Sequence, residues 1–93
     1  MKFQVTNHGD GGKTLSREIA PDVNVNYDIV QCENGFVFEQ WIDGTSGTER
    51  SIPFSTEAEA IAQAGRYDAS VTFVNHPFLG WVASSGCDIQ GEL

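Results

Sequence analysis

Gly12-Lys13-Thr14 has the residue types that close a phosphate-binding loop, in which backbone N–H groups cradle phosphates, a lysine reaches them and a hydroxyl meets Mg²⁺. The full pattern needs a glycine five positions before Gly12, and Asn7 stands there. It also needs a following helix, yet Leu15 to Ala20 is short and is stopped by Pro21. The expected arrangement is a glycine-rich hairpin tip with Lys13 in water. His8, His76, Cys32 and Cys87, with Asp10 beside His8, are the side chains able to ligate a metal. None has the close paired spacing of a zinc site. Asp10, Gly11 and Gly12 lead to no glutamate that would complete a calcium loop. Cys32 would need a base such as His76 to act as a nucleophile. Its strand position, on the face opposite Tyr27 and Ile29, favours a small apolar residue in a sheet instead. Ser84 and Ser85 sit in no nucleophile-elbow pattern. The expectation is a non-enzymatic protein with no catalytic residues, no metal and no cofactor.

The 93 residues suit one domain, spanning 1–93, with one core and no second lobe. Thirteen acidic against five basic side chains give a formal net charge of -8. Lys2, Lys13, Arg17, Arg50 and Arg66 are scattered, whereas phosphate neutralisation needs clustered cations. Direct nucleic-acid binding is therefore not expected, and a basic protein or protein complex is the expected partner. No apolar run approaches the ~20 residues that cross a bilayer, so no membrane role is expected. Met1 to Thr6 shows no secretory h-region, which points to a cytoplasmic protein with Cys32 and Cys87 reduced by default, though their pairing stays open.

Residues that chemistry would use must be positioned by elements, and the period of the chain names them. Phe3 to Val5 reads as a short strand and Asn7 to Gly12 as a turn. Leu15, Arg17 and Ile19 read as a returning strand, with short helix as the rival. Val23, Val25, Tyr27 and Ile29 occupy every second position, the period of a half-buried strand. Asn34-Gly35 suits the two central positions of a type I′ turn. That loop places Glu33 opposite Phe36, Ile29 opposite Gln40, Tyr27 opposite Ile42 and Asp28 opposite Trp41. One hairpin face then carries Val25, Tyr27, Ile29, Phe36, Phe38 and Ile42 as core. A third strand is expected from about Thr48 to Phe54, with Ile52 and Phe54 sharing a face. The period then becomes helical through Ala58, Ile61, Ala62 and Gly65, with Thr56 and Glu59 as a capping box and Gly65 as the terminator. Val71 to Val74 reads as a strand interrupted at His76-Pro77. Residues 78–82 are open between strand and short helix, and the tail from Ser84 is expected to be loose, with Cys87 and Ile89 as its tethers. The fold class is α+β: an antiparallel sheet of about four to six strands with one helix on one face.

The second hairpin face carries Asn26, Asp28, Val30 and Cys32 against Val37, Glu39, Trp41 and Asp43. A tryptophan among carboxylates has the makings of a contact hot spot, so Asp28, Val37, Glu39, Trp41 and Asp43 form the candidate partner-binding set. Alternate strand residues lie ~6.8 Å apart, near the spacing of nucleic-acid phosphates. Trp41 interrupts that acidic row between Glu39 and Asp43. In size, acidity and α+β character the chain is similar to small inhibitors encoded by phages and mobile elements, including anti-CRISPR proteins. That resemblance implies a non-enzymatic inhibitor that blocks a basic nucleic-acid-binding surface of a host complex. The alternative is a structural or self-associating module, with edge strands and Trp41 forming a homodimer.

Overall fold

The computed structural model describes residues 2–9, 11–45 and 47–84. Five antiparallel strands follow one another across a sheet in chain order: β1 (Gln4–Asn7), β2 (Lys13–Ala20), β3 (Val23–Cys32), β4 (Gly35–Ile42) and β5 (Glu49–Arg50). One helix, α1 (Glu57–Ser70), packs against β3 and β4. A separate two-stranded sheet, β6 (Thr72–His76) with β7 (Gly80–Ser84), completes the α+β fold. Residues 15–19 are strand rather than helix, and residues 80–82 are strand. Pro77 begins the β6–β7 turn instead of interrupting β6. The tail from Ser85, including Cys87 and Ile89, lies outside the described residues.

The β3–β4 hairpin forms where its alternation predicts it, but its register differs. Cys32 pairs with Gly35, so the two loop residues are Glu33 and Asn34, not Asn34 and Gly35. Tyr27 faces Gln40, Ile29 faces Phe38 and Asp28 faces Glu39. The cause is tertiary. Phe36 and Phe54 exchange two backbone hydrogen bonds of 2.8 and 2.7 Å. Gly35, at φ +136°, lies so close to that segment that a Cβ would sit 2.2 Å from the Phe54 carbonyl oxygen. Gly35 thus serves a close backbone approach. Each β3 residue changes partner by two positions, which keeps every side chain on its expected face.

That face is the core. Val25, Tyr27, Ile29, Phe38 and Ile42 are buried, Phe36 is half-buried, and Leu15 and Phe3 join them. Tyr27 is central, with edge-on contacts to Phe3, Phe38 and Tyr67 at centroid distances of 5.6, 5.9 and 6.4 Å. The expected third strand is shorter than its apolar pattern suggests. Ser51 is buried and bonds Phe38 twice, its N–H donating to the carbonyl and its hydroxyl accepting from the amide. Pro53 has no N–H to continue the ladder. Ile52 is consequently exposed and does not share a buried face with Phe54.

Thr56 caps α1 as its sequence predicts, accepting from the Glu59 amide at 3.1 Å. Glu59 does not complete the box, because its carboxylate accepts from Ser55 Oγ instead. The helix also runs past Gly65 to Ser70. Its buried positions are Ala60, Ala64 and Asp68, while Ala58 and Ala62 face solvent. The extra turn carries Tyr67 into the aromatic cluster and Asp68 into a polar one. Asp68 has no exposed side-chain surface. It accepts from Tyr27 Oη at 2.7 Å and from Arg17 Nε at 2.6 Å, with Lys2 Nζ at 3.4 Å. Burial, and next the bond to Asp68, push the Tyr27 phenol pKa far up, so the ring stays a donor. At the other end of the helix Lys13 Nζ meets Glu57 at 2.8 Å. Both cations stand on the core side of β2, opposite Ile29 and Val25, so the helix is pinned at two ends to one strand.

Removing one partner of a buried ion pair costs about 3–5 kcal/mol. Asp68→Ala strands the Tyr27 hydroxyl and part of Arg17, and urea denaturation is expected to show a loss near the lower end of that range. The two glycines separate by sign. At Gly65 a Cβ meets nothing within 4 Å, and the helical backbone accepts alanine. Gly65→Ala is expected to stabilise by about 0.5–1 kcal/mol. Gly35→Ala meets the Phe54 carbonyl and a left-handed φ, and is expected to destabilise by about 2 kcal/mol or more. Thermal melts of the two variants read both signs.

Candidate partner-binding face

The helix and the aromatic residues of the second hairpin pack on the core side of the sheet. The opposite side is built from β2, β3 and β4 residues of even number on β2 and β3 and odd number on β4, set by the ladder registers. It carries Thr14, Ser16, Asn26, Asp28, Val30 and Cys32, with Val37, Glu39 and Trp41 across from them.

Four of the five candidate contact residues are hydrogen-bonded partners in this face. Asp28 lies opposite Glu39, not Trp41, and the indole reaches diagonally to it, Nε1 donating to Oδ2 at 3.0 Å. Thr14 Oγ1 donates to the other Asp28 oxygen at 2.6 Å. Two like charges directly opposite repel. Here donors surround one carboxylate and Arg50 pairs with the other, Nε lying 2.8 Å from Glu39 Oε2. Arg50 therefore removes one charge from the acidic row Glu39–Asp43. Asp43 is gripped from β3: Asn26 Nδ2 donates at 3.0 Å, and the Asn24 amide and side chain donate at 3.0 and 3.1 Å. Trp41 is half-buried rather than sealed. Val37 is 2% exposed and has no surface to offer a partner. Val30, expected opposite Glu39, faces Val37 instead.

The long-range donors to Asp28 are not visible in the local pattern. Thr14 has one hydroxyl proton, which Asp28 accepts, so His8 Nε2, 2.7 Å from Thr14 Oγ1, carries the proton of that contact. The chain runs His8, Thr14, Asp28, Trp41. A nucleophilic triad places the imidazole between hydroxyl and carboxylate. Here the hydroxyl stands between them, an order that positions groups without activating the oxygen. This chain lines a cleft of about 910 Å³ with Gly11, Gly12 and Val30 at the start of β2. The glycine-rich loop is held by the His8 amide bonding the Gly12 carbonyl at 2.8 Å and the Gly11 amide bonding the His8 carbonyl at 3.1 Å. Strand β2 follows it in place of the helix that a phosphate-binding loop needs, and Lys13 is engaged by Glu57 instead of standing in water.

His76 ends β6, and its Nδ1 accepts from the Phe78 and Leu79 amides of the turn at 3.1 and 3.2 Å. Cys32 is a half-buried free thiol at the far end of β3. Among the described residues no three His, Cys, Asp or Glu side chains gather as metal ligands would. No helix among them is long and apolar enough to cross a membrane. Sequence reasoning passed over the β6–β7 tip, where Phe78 is 91% and Leu79 64% exposed. The available signal was an uncharged run from Ala69 to Gly86 in an otherwise acidic chain. Comparison with protein-family models, with curated proteins and with solved structures finds no match to this chain.

Asp43 supplies a pH test. Partial burial raises its pKa, and the hydrogen bonds from Asn26 and Asn24 outweigh that, holding the carboxyl below its ordinary value. A lowered folded-state pKa stabilises fully above the unfolded value of about 4, and the contribution disappears as pH falls through the folded value. The stability gap between wild type and Asp43→Asn is expected to be widest above about pH 4 and to narrow in acid, read by urea denaturation at each pH. A gap independent of pH would show that the carboxylate contributes nothing by its charge.

Proposed function

We propose that this chain is a small non-enzymatic protein-binding domain that docks the outer face of its sheet on a basic partner protein. The observation that carries the reading is the fixed presentation of Trp41. Its indole is held by Asp28 on the side of the sheet away from the helix, with Glu39 and Asp43 on the same strand region. An aromatic held in one geometry loses little freedom on binding. The charge distribution supports the same reading. Lys2, Lys13, Arg17 and Arg50 are all paired with carboxylates of their own chain. The surplus carboxylates are therefore not offset by these cations, and the net charge favours a basic partner. Contact through Asp28, Glu39, Trp41 and Asp43 would suit a partner surface rich in Lys and Arg, including one that otherwise binds nucleic acid. This is the mode of small phage and mobile-element inhibitors of the anti-CRISPR kind, and the proposal extends to that class and to action in the cytoplasm.

A second reading is favoured by β1. All four of its residues are exposed, and its outer edge is the end of the sheet. An open edge can pair with a second copy to give a symmetric dimer.

Pull-down from host lysate with wild type and Trp41→Ala identifies the partner, and titration then measures it. The variant is expected to weaken the complex by about 2 kcal/mol or more. Association is expected to slow as salt rises. Unchanged affinity for Trp41→Ala, or an on-rate indifferent to salt, would remove the docking face. A sedimentation coefficient that rises with concentration in the absence of partner would favour the dimer.

A further inference from the structure

The β6–β7 hairpin differs in kind from the body that carries it. No Asp, Glu, Lys or Arg occurs between Ala69 and Gly86, whereas the chain as a whole has a formal net charge of -8. Its inward side is anchored: Phe73 and Trp81 pack on the core, and the Arg17 guanidinium lies 5.3 Å from the Phe73 ring centroid. Its outward side sets Val74 opposite Val82, between Thr72 and His76, with Val74 39% exposed. At the tip Phe78 stands almost wholly in solvent and Leu79 is largely exposed.

The tip is held in this form. His76 Nδ1 accepts both tip amides, so its proton sits on Nε2, and its ring leans on Phe78 at a centroid distance of 6.0 Å. Gly80 turns the chain back at φ +79°, and a Cβ there would lie 3.1 Å from the Thr45 methyl. Two adjacent large apolar side chains are thus presented outward on a hydrogen-bonded turn, an arrangement that lowers the ordering penalty of binding. Exposed apolar patches of this kind mark interaction sites.

We propose that this tip is a protein-docking anchor: Phe78 and Leu79 insert together into an apolar pocket of a partner protein whose rim carries Lys or Arg. The convex shape requires a concave receptor. Charge selects among receptors. The hairpin has no cation to hold it at an anionic lipid surface, and the body behind it is repelled there. A second copy of the chain brings the same negative charge to the contact. A pocket ringed by basic residues matches both the apolar tip and the acidic body. The proposal uses neither Trp41 nor the sheet carboxylates. The tip lies near Thr45, just beyond the Ile42 end of β4, and belongs to the uncharged second hairpin rather than to the sheet face that carries Trp41.

The test places a photoreactive benzoylphenylalanine at position 78, and separately at exposed Ala62 of the helix, in the full chain expressed in cells of the source organism. A discrete protein adduct is expected from position 78 and not from position 62. The adducted protein, purified, is then titrated with four forms of the chain. Phe78→Ala/Leu79→Ala is expected to weaken binding at least thirtyfold with unchanged far-ultraviolet circular dichroism. His76→Asn keeps an acceptor for the turn amides in its Oδ1 and is expected to stay within about threefold of wild type. His76→Phe removes that acceptor and is expected to weaken binding about tenfold. Wild-type affinity in the double variant overturns the proposal, even if Trp41→Ala weakens the same complex. It is also overturned by the absence of an adduct from position 78. Sedimentation showing a wild-type dimer that the double variant lacks assigns the tip to a second copy. Flotation with phosphatidylcholine vesicles that the double variant lacks assigns it to a membrane. Either result overturns the protein pocket.

Discussion

The buried carboxylate of Asp68 joins the helix to the sheet, and much of the architecture follows from that join. A carboxylate with no water contact is unfavourable unless several donors surround it. Tyr27 from the central strand and Arg17 from its neighbour supply them, with Lys2 at longer range. Each donor is thereby placed. Tyr27 is held upright, which sets its three aromatic contacts. Arg17 is drawn to the core side of β2, where it also covers Phe73 of the second hairpin. The helix is carried one turn past Gly65 so that position 68 reaches these donors. One charge therefore couples helix length, the orientation of the core aromatics and the seat of the second hairpin.

The outer face follows a similar logic with weaker individual bonds. Asp28 and Glu39 oppose each other across the central ladder, an arrangement that repulsion alone would disfavour. Donors from three other strand positions resolve it: Thr14 and Trp41 on Asp28, Arg50 on Glu39. The tryptophan is thus a structural donor as well as a surface aromatic. The same economy explains the surface charge. Four cations are engaged internally, so the surplus carboxylates are not offset by them.

Two surfaces of opposite character result. One is an acidic, hydrogen-bonded sheet face with a half-buried indole beside a cleft. The other is an uncharged hairpin ending in two exposed apolar side chains. Charge suits the first to steering and to selection of a basic partner. Apolar area suits the second to anchoring.

Alternation of Val23 to Ile29 was enough to determine that a strand forms and which of its residues turn inward, because side-chain direction along a strand has period two. Thr56 was enough to start the helix, because capping is a local bond between residues three apart. The class of fold, an antiparallel sheet with one helix, was legible for the same reason. What the sequence alone did not determine rests on groups far apart in the chain. The hairpin register was decided by Phe54 meeting Gly35 and Phe36, which the turn preference of Asn34-Gly35 cannot anticipate. The helix end was decided by Tyr27 and Arg17, 41 and 51 residues from Asp68, overriding the local tendency of Gly65 to stop it. Trp41 acquired its partner only when β3 and β4 aligned and Thr14 closed on the other oxygen. Local propensities are worth tenths of a kcal/mol to about one, whereas a buried charge or a closed backbone contact is worth several, so the tertiary terms prevail where the two disagree.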